Sequence, residues 1–153
     1  MIKRILVWLC APHAVALPNA YGDGEHENGV ITRLCDAALA ADGLIVKQGS
    51  DANHVAVTAA NTDVPMGLTN QPTDAAEDSV AVRLFGKGPT KRMTAGEAIA
   101  ANAEVVATAD GKAATLPTTG GTYYVIGRAL TAAAGDGDVF ELHDCYPAKR
   151  VVT

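Results

Sequence analysis

Short stretches of apolar or alternating residues recur along the chain, and turns rich in glycine, aspartate and serine separate them. Alternation with a period of two is typical of a half-buried β-strand, and a short uniform apolar run is typical of a buried one. The predicted strands are residues 30–34, 44–47, 54–58, 79–85, 104–108, 122–130 and 138–143. The pattern predicts a mainly β fold, either a small single-domain β-sandwich or a β-barrel.

Two alanine-rich segments interrupt this strand pattern and predict one short helical turn each, over residues 37–41 and 95–101. Thr94 precedes the second segment and Glu97 follows three residues later. In that pattern a hydroxyl and a carboxylate satisfy each other's backbone donors at a helix start. Both segments are too short to be stable as isolated helices.

The alanine-rich segments also indicate an internal repeat. A shift of 60 residues without gaps aligns apolar or small residues of one half with those of the other. The aligned pairs are Ala38–Ala98, Leu39–Ile99, Ala40–Ala100, Ala41–Ala101, Ile45–Val105, Val46–Val106, Met66–Ile126 and Gly67–Gly127. Alanine-rich sequence inflates such matches, so a single unrepeated domain stays the alternative. The predicted duplication lies around residues 37–67 and 97–127.

The beginning of the chain differs from the rest. An apolar run carries Trp8 and Leu9, and the acidic, glycine-rich residues 21–28 that follow show no periodicity and predict a solvated linker. An apolar arm of this kind would pack on its own domain or on a neighbouring subunit. The predicted division is an N-terminal arm and linker, residues 1–28, and a β domain, residues 29–153.

A basic start followed by an apolar run is also the outline of a secretory signal, here residues 1–16. Pro12 would interrupt the helix of such a signal. The run is about 13 residues long, short of the roughly 20 that a membrane-spanning helix needs. No membrane partner is predicted, and a small secreted β-rich binding protein or enzyme with a cleaved signal is the alternative class.

Composition narrows the class of protein. The chain has 153 residues, of which 48% are apolar and only 5% aromatic, so one domain with a core of small side chains is expected. Its net charge is −5, and no cluster of cations provides a surface for phosphates. We therefore predict no nucleic-acid partner.

The three cysteines, Cys10, Cys35 and Cys145, cannot all pair within one chain and form no Cys-x-x-Cys motif. Reduced cysteines are typical of proteins that assemble in a reducing cytoplasm. The sequence thus favours assembly in a cytoplasm over secretion.

No pattern of residues indicates catalysis. Ser50 and Ser79 are the serines, and neither lies in a Gly-x-Ser-x-Gly turn. The run 86–91 contains Gly-Lys-Gly but lacks the spacing of a phosphate-binding loop, so a hairpin or loop crossing is expected there. We predict that the protein is not an enzyme and has no catalytic residues.

The histidines do not form a metal-binding motif. His143 and Cys145 would share one face of a strand, but two further ligands are missing from that pattern. We predict no metal and no cofactor. A metal- or redox-dependent enzyme that uses these two residues with Cys35 is a third class, which predicts stoichiometric metal in the purified protein.

Five short stretches follow one another in a characteristic order and spacing. They are Val-Lys-Gln-Gly-Ser-Asp-Ala-Asn-His-Val at 46–55, Pro-Met-Gly-Leu at 65–68, Leu-Phe-Gly at 84–86, Gly-Glu-Ala-Ile-Ala-Ala at 96–101 and Gly-Gly-Thr-Tyr-Tyr-Val-Ile-Gly-Arg-Ala-Leu at 120–130. In their order and spacing these stretches resemble the capsid cement proteins of tailed bacteriophages, which are head decoration proteins. The resemblance covers about residues 29–147.

The resemblance implies a virion protein that assembles in the host cytoplasm, binds the outer surface of the capsid and stabilises contacts between major capsid protein subunits. It also implies self-association, as a homotrimer or else a dimer. The arm is longer and more apolar than in that family. The residues expected to contact the capsid or a partner are Trp8, Leu9, Leu17, Tyr21, Tyr123 and Tyr124. Tyr123 and Tyr124 are neighbours on one strand, so they must face opposite sides.

Overall fold

The computed structural model describes residues 29–86 and 90–153, and within them the fold is almost entirely β. One short 3-10 turn, Ala109–Gly111, accompanies the strands. The strands are β1 Val30–Cys35, β2 Ile45–Gln48, β3 His54–Val57, β4 Gly67–Thr69, β5 Ser79–Leu84, β6 Lys91–Thr94, β7 Glu104–Ala107, β8 Ala113–Thr115, β9 Gly121–Ala129, β10 Val139–His143 and β11 Ala148–Val152. The prediction of a mainly β fold is confirmed.

The first five strands form a closed barrel in the order β1-β3-β2-β4-β5. A parallel pairing of β1 with β3 and an antiparallel pairing of β1 with β5 close it. Alternation along β5 shows why the strand forms. Val80 and Val82 are fully buried, whereas Ser79, Ala81 and Arg83, which alternate with them, are exposed or half-buried. We call this barrel, residues 30–86, the N-terminal half.

The remaining strands form a sheet in the order β6-β10-β9-β7-β8, and β11 pairs with the beginning of β9. An isolated parallel bridge joins Ala95 to Ala113, between the two ends of this sheet. In the barrel of the N-terminal half, the parallel pairing of β1 with β3 occupies the position that corresponds to this bridge. We call this part, residues 90–153, the C-terminal half.

The strand pairings of the two halves match at an offset of 60 residues, which is the offset found in the sequence. Leu34 pairs with Ser79 in the N-terminal half, and Thr94 pairs with Val139 in the C-terminal half. Other matching features are the bridges Leu39–Thr73 and Ile99–Ala133, the pairs Thr69–Val82 and Ala129–Leu142, and the positive φ of Glu77 and Gly137. A duplicated origin of the halves stays a prediction.

The core is divided unequally between the halves. One buried cluster lies within the N-terminal half and includes Cys35, Val55 and Val82. A larger cluster combines the interior of the C-terminal half with Ile45, Leu68 and Phe85 from the N-terminal half. Because these three side chains are buried in the same cluster as the other half's interior, the halves share one core.

Polar contacts also join the halves at this seam. The Thr58 hydroxyl donates to the carbonyl of Thr108 at 3.1 Å, and the Gly111 amide donates to the carbonyl of Thr58 at 3.3 Å. The Tyr124 amide donates to the carbonyl of Asn61 at 3.3 Å.

In the described part of the chain, no helix is long and apolar enough to cross a membrane.

The two predicted helical turns are wrong. Leu39 and Ile99, at the middle of the alanine-rich segments, each form a two-way backbone bridge to another segment and are buried. Burial of these side chains outweighs the helix propensity of the alanines around them. Glu97 caps no helix, since its carboxylate accepts a hydrogen bond from the Thr115 amide at 2.9 Å.

Four strands were not predicted: β4, β6, β8 and β11. The run 86–91, expected to be a loop, ends in β6, and its residues 87–89 lie outside the described part of the chain. Strands β4 and β8 have only three residues each, and β6 and β11 carry adjacent cations that mask any alternation.

Candidate functional site

Four of the six predicted contact residues, Trp8, Leu9, Leu17 and Tyr21, lie outside the described residues. Tyr123 is buried, and its hydroxyl donates to the carbonyl of Thr119 at 2.9 Å. Tyr124, the next residue, is half-buried. As adjacent residues of a strand the two side chains face opposite sides, and Tyr124 is the one whose surface a partner could reach. Their contact with a partner stays a prediction.

The serines considered as nucleophiles have structural positions. The Ser50 hydroxyl donates to Asp36 at 2.7 Å, and the Ser50 amide donates to the same carboxylate at 2.8 Å. These bonds fix the turn before β3. Ser79 begins β5 and is exposed.

The residues of the metal or redox alternative do not meet. Cys35 is buried in the N-terminal half, where its thiol contacts the Thr73 hydroxyl at 3.2 Å. Cys145 packs against the shared core instead, and burial raises the pKa of its thiol. His143 lies next to Asp144, at 2.9 Å. Within residues 29–86 and 90–153, no group of three His, Cys, Asp or Glu side chains is arranged to hold a metal ion.

A cluster of titratable groups fixes the beginning of β3. His54 Nδ1 lies 2.7 Å from the Asp51 carboxylate, and Nε2 lies 3.1 Å from the Glu77 carboxylate. Only 12% of the His54 side chain is exposed. Both ring nitrogens face acceptors, which an imidazolium satisfies because both nitrogens then donate. The hydrogen bond to Asp51, followed by the one to Glu77, raises the pKa of His54.

This cluster predicts a pH dependence of stability. Because the pKa of His54 is higher in the folded state, its contribution is complete below the unfolded value of about 6.5 and is lost as the pH rises through the folded value. We expect the urea midpoint of the wild type to fall from near neutral pH upward. The variant His54→Gln should lose this part of the slope, and Glu77→Gln should reduce it. Equal slopes for wild type and His54→Gln would contradict the assignment.

A groove of about 370 Å³ lies between the two halves. Asp42, Asn70 and Arg83 line it from the N-terminal half, and Arg92 and Val139 line it from the C-terminal half. A second depression of about 240 Å³ shares Arg92 and Val139 with it. Glu141 also lines the second depression. We call the first depression alone the seam groove.

Strand geometry places the groove side chains. Arg83 is near the end of β5, in register with Leu68 on β4. Arg92 lies on β6 opposite Glu141, and Val139 lies on β10 opposite Thr94. Residues that oppose each other across an antiparallel pair share a face. Arg92 and Val139 therefore project from the same face of the C-terminal half.

The charge of the seam groove is mainly positive. In the part of the chain that the structure describes, neither Arg83 nor Arg92 forms an ion pair. The Nε atom of Arg83 is buried and has no hydrogen-bond partner there. Behind it, burial lowers the pKa of Lys91, and the positive charge of Arg83 lowers it further.

The sequence did not indicate these arginines. Arg83 and Arg92 are isolated cations on different strands, and only the packing of the two halves brings both to one groove. Val139 is 53% exposed, and its place beside Arg92 likewise follows from the fold and not from a local pattern.

The fold is similar to that of a phage head protein. The head fiber gp8.5 N base in bacteriophage phi29 matches with a TM-score of 0.56 and 22% sequence identity. The match covers 74% of this chain and 90% of that chain. No protein-family model and no curated protein matches the chain. At this identity the likeness shows the fold alone, and the predicted resemblance is confirmed as a resemblance of fold.

Proposed function

We propose that this protein is a structural decoration protein of a tailed-phage head. It binds the outer surface of the capsid and stabilises contacts between major capsid protein subunits. The observation that carries the proposal is the fold shared with a phage head fiber base. The order of sequence phrases that resemble cement proteins supports the same assignment from the primary structure. We propose no catalytic activity.

Cementing is an interface function. A standard interface of about 1,600 Å² gives affinities that range from micromolar to picomolar. A copy that contacts several subunits gains effective concentration from each earlier contact. Exposed apolar side chains on the described surface are available for such contacts: Val64, Leu130, Val139, Tyr146 and Val151. In this proposal copies associate as trimers, or else dimers, and residues 1–28, with Trp8 and Leu9, contact a neighbouring subunit.

The test uses particles of the phage that encodes the chain. We expect the chain to co-sediment with intact heads in a fixed ratio to coat protein and to be accessible to antibody on those heads. Heads that lack it should burst at a lower temperature. A variant without residues 1–20 should dissociate from heads on heating before the full chain does, and retention equal to the full chain would count against the arm.

Two outcomes would contradict the decoration role itself. Purified heads that contain none of the chain would overturn it. If the intact mass of the native protein shows that its chain begins at Leu17, a secreted protein would be favoured. If the free protein is a trimer, light scattering should give a mass of about three times that of the 15.7 kDa chain.

A further inference from the structure

We infer that the seam groove is a binding site for carboxylates of an acidic protein segment. Under the proposed function, on which the identity of the partner rests, that segment belongs to a coat subunit. The binding chemistry itself does not depend on that role.

Charge is the first argument. Arg83 and Arg92 line the groove, and Asp42 is the acidic side chain that faces them across it. Glu141, opposite Arg92 on the neighbouring strand, is engaged by the Thr90 hydroxyl. Two guanidinium groups thus face the groove without a carboxylate paired to either among the described residues. In a chain of net charge −5, such a concentration of positive charge is local.

The buried Nε of Arg83 is the second argument. Buried polar atoms in folded proteins almost always have a hydrogen-bond partner, and one left without a partner is destabilising. Arg83 lines the groove and is half-buried, and its enclosed Nε gains an acceptor only if the side chain turns toward a bound ligand. A carboxylate accepts two parallel hydrogen bonds from a guanidinium fork.

The groove favours a protein segment over a nucleic acid. A polyphosphate needs clustered cations along its path, and this groove has two arginines with Asp42 between the halves. Val139 beside Arg92 adds apolar surface, which fits a peptide that alternates acidic and apolar residues. At about 370 Å³ the main depression has the size of a ligand site.

The test is peptide titration of the full chain, followed by NMR of the arginine Nε–H signals. The probe is a synthetic Glu-Val-Glu-Val-Glu peptide, and its Gln-Val-Gln-Val-Gln counterpart is the control ligand. We expect the acidic peptide to shift the signals of Arg83 and Arg92. Arg92 is exposed, so it can be replaced without disturbing the core. The variant Arg92→Gln should weaken binding of the acidic peptide by about tenfold or more, since it removes a charge-assisted hydrogen bond to a peptide carboxylate. Lys149→Gln, the same charge change on the exposed strand β11, should leave binding unchanged.

Other results would overturn the inference. These are equal binding of the two peptides, equal affinity of Arg92→Gln and wild type, or shifts produced by inorganic phosphate but not by the acidic peptide. Head retention separates this inference from the proposed function. If the peptide fails to bind and the chain still co-sediments with heads, the groove inference fails and the decoration role stands. If the peptide binds and purified heads contain none of the chain, the groove inference stands and the decoration role fails.

Discussion

Leu68→Ala is expected to lower the free energy of unfolding by about 2–5 kcal/mol, the range for a buried Leu truncated in a core. Leu68 is fully buried and belongs to the N-terminal half, yet it packs in the cluster that fills the C-terminal half. Truncation therefore leaves a cavity between the halves. Urea unfolding followed by circular dichroism measures the change.

The same variant tests whether the halves unfold together. Because they share one core, hydrogen exchange of amides in β3 and in β10 should accelerate by similar factors. Val64→Ala, at a side chain that is 58% exposed, is the control and should change stability by less than about 0.5 kcal/mol. If amides of the N-terminal half alone lost protection, the shared core would not couple the halves.

The repeat explains why the shared core lies on one side only. In the N-terminal half, β2 and β4 place Ile45 opposite Leu68, and this apolar pair faces the other half. In the C-terminal half the position of Leu68 is taken by Arg128, which lies opposite Glu104 in an ion pair of 2.9 Å, while the position of Ile45 is taken by the buried Val105. Arg150 on β11 also bonds to Glu104. A third unit could not stack on this charged surface as the N-terminal half stacks on the C-terminal half, since its charges would lose water.

The sequence predicted the strands whose apolar residues alternate or run together, such as β5 and β10. It did not predict β6, where Lys91 and Arg92 are adjacent, although Lys91 is only 6% exposed. Burial of a lysine depends on the half that packs over it, and no local pattern contains that information. The predicted helical turn around Leu39 was wrong for the same reason, because the backbone partner of Leu39, Thr73, is distant in the chain.

The candidate site could be predicted even less well. Arg83 and Arg92 are nine positions apart on strands of different halves, and residues 87–89 between them lie outside the described part of the chain. Their approach follows from the packing of one half on the other. The repeat offset, by contrast, was visible in the sequence, because small and apolar residues recur where backbones pair in both halves.

Gly127→Ala is expected to be destabilising by the upper part of about 1–3 kcal/mol, the usual range for overpacking. A Cβ at Gly127 would lie well inside 3.0 Å of the carbonyl oxygen of His143, on the adjacent strand β10. Backbone cannot move aside there without breaking the pairing of β9 with β10. Gly67 occupies the matching position, where a Cβ would meet the carbonyl of Arg83, so Gly67→Ala should have a similar effect.

Gly135→Ala is the matched control, because no atom lies within 4 Å of its Cβ position and its φ is not positive. A Gly→Ala change at such a site stabilises by about 0.4–1 kcal/mol, since it restricts the unfolded chain. The same Gly→Ala change is therefore expected to lower stability at Gly127 and Gly67 and to raise it at Gly135. Thermal unfolding of the set measures this, and a Gly127→Ala protein as stable as Gly135→Ala would mean that β9 and β10 do not approach as closely as the backbone of Gly127 requires.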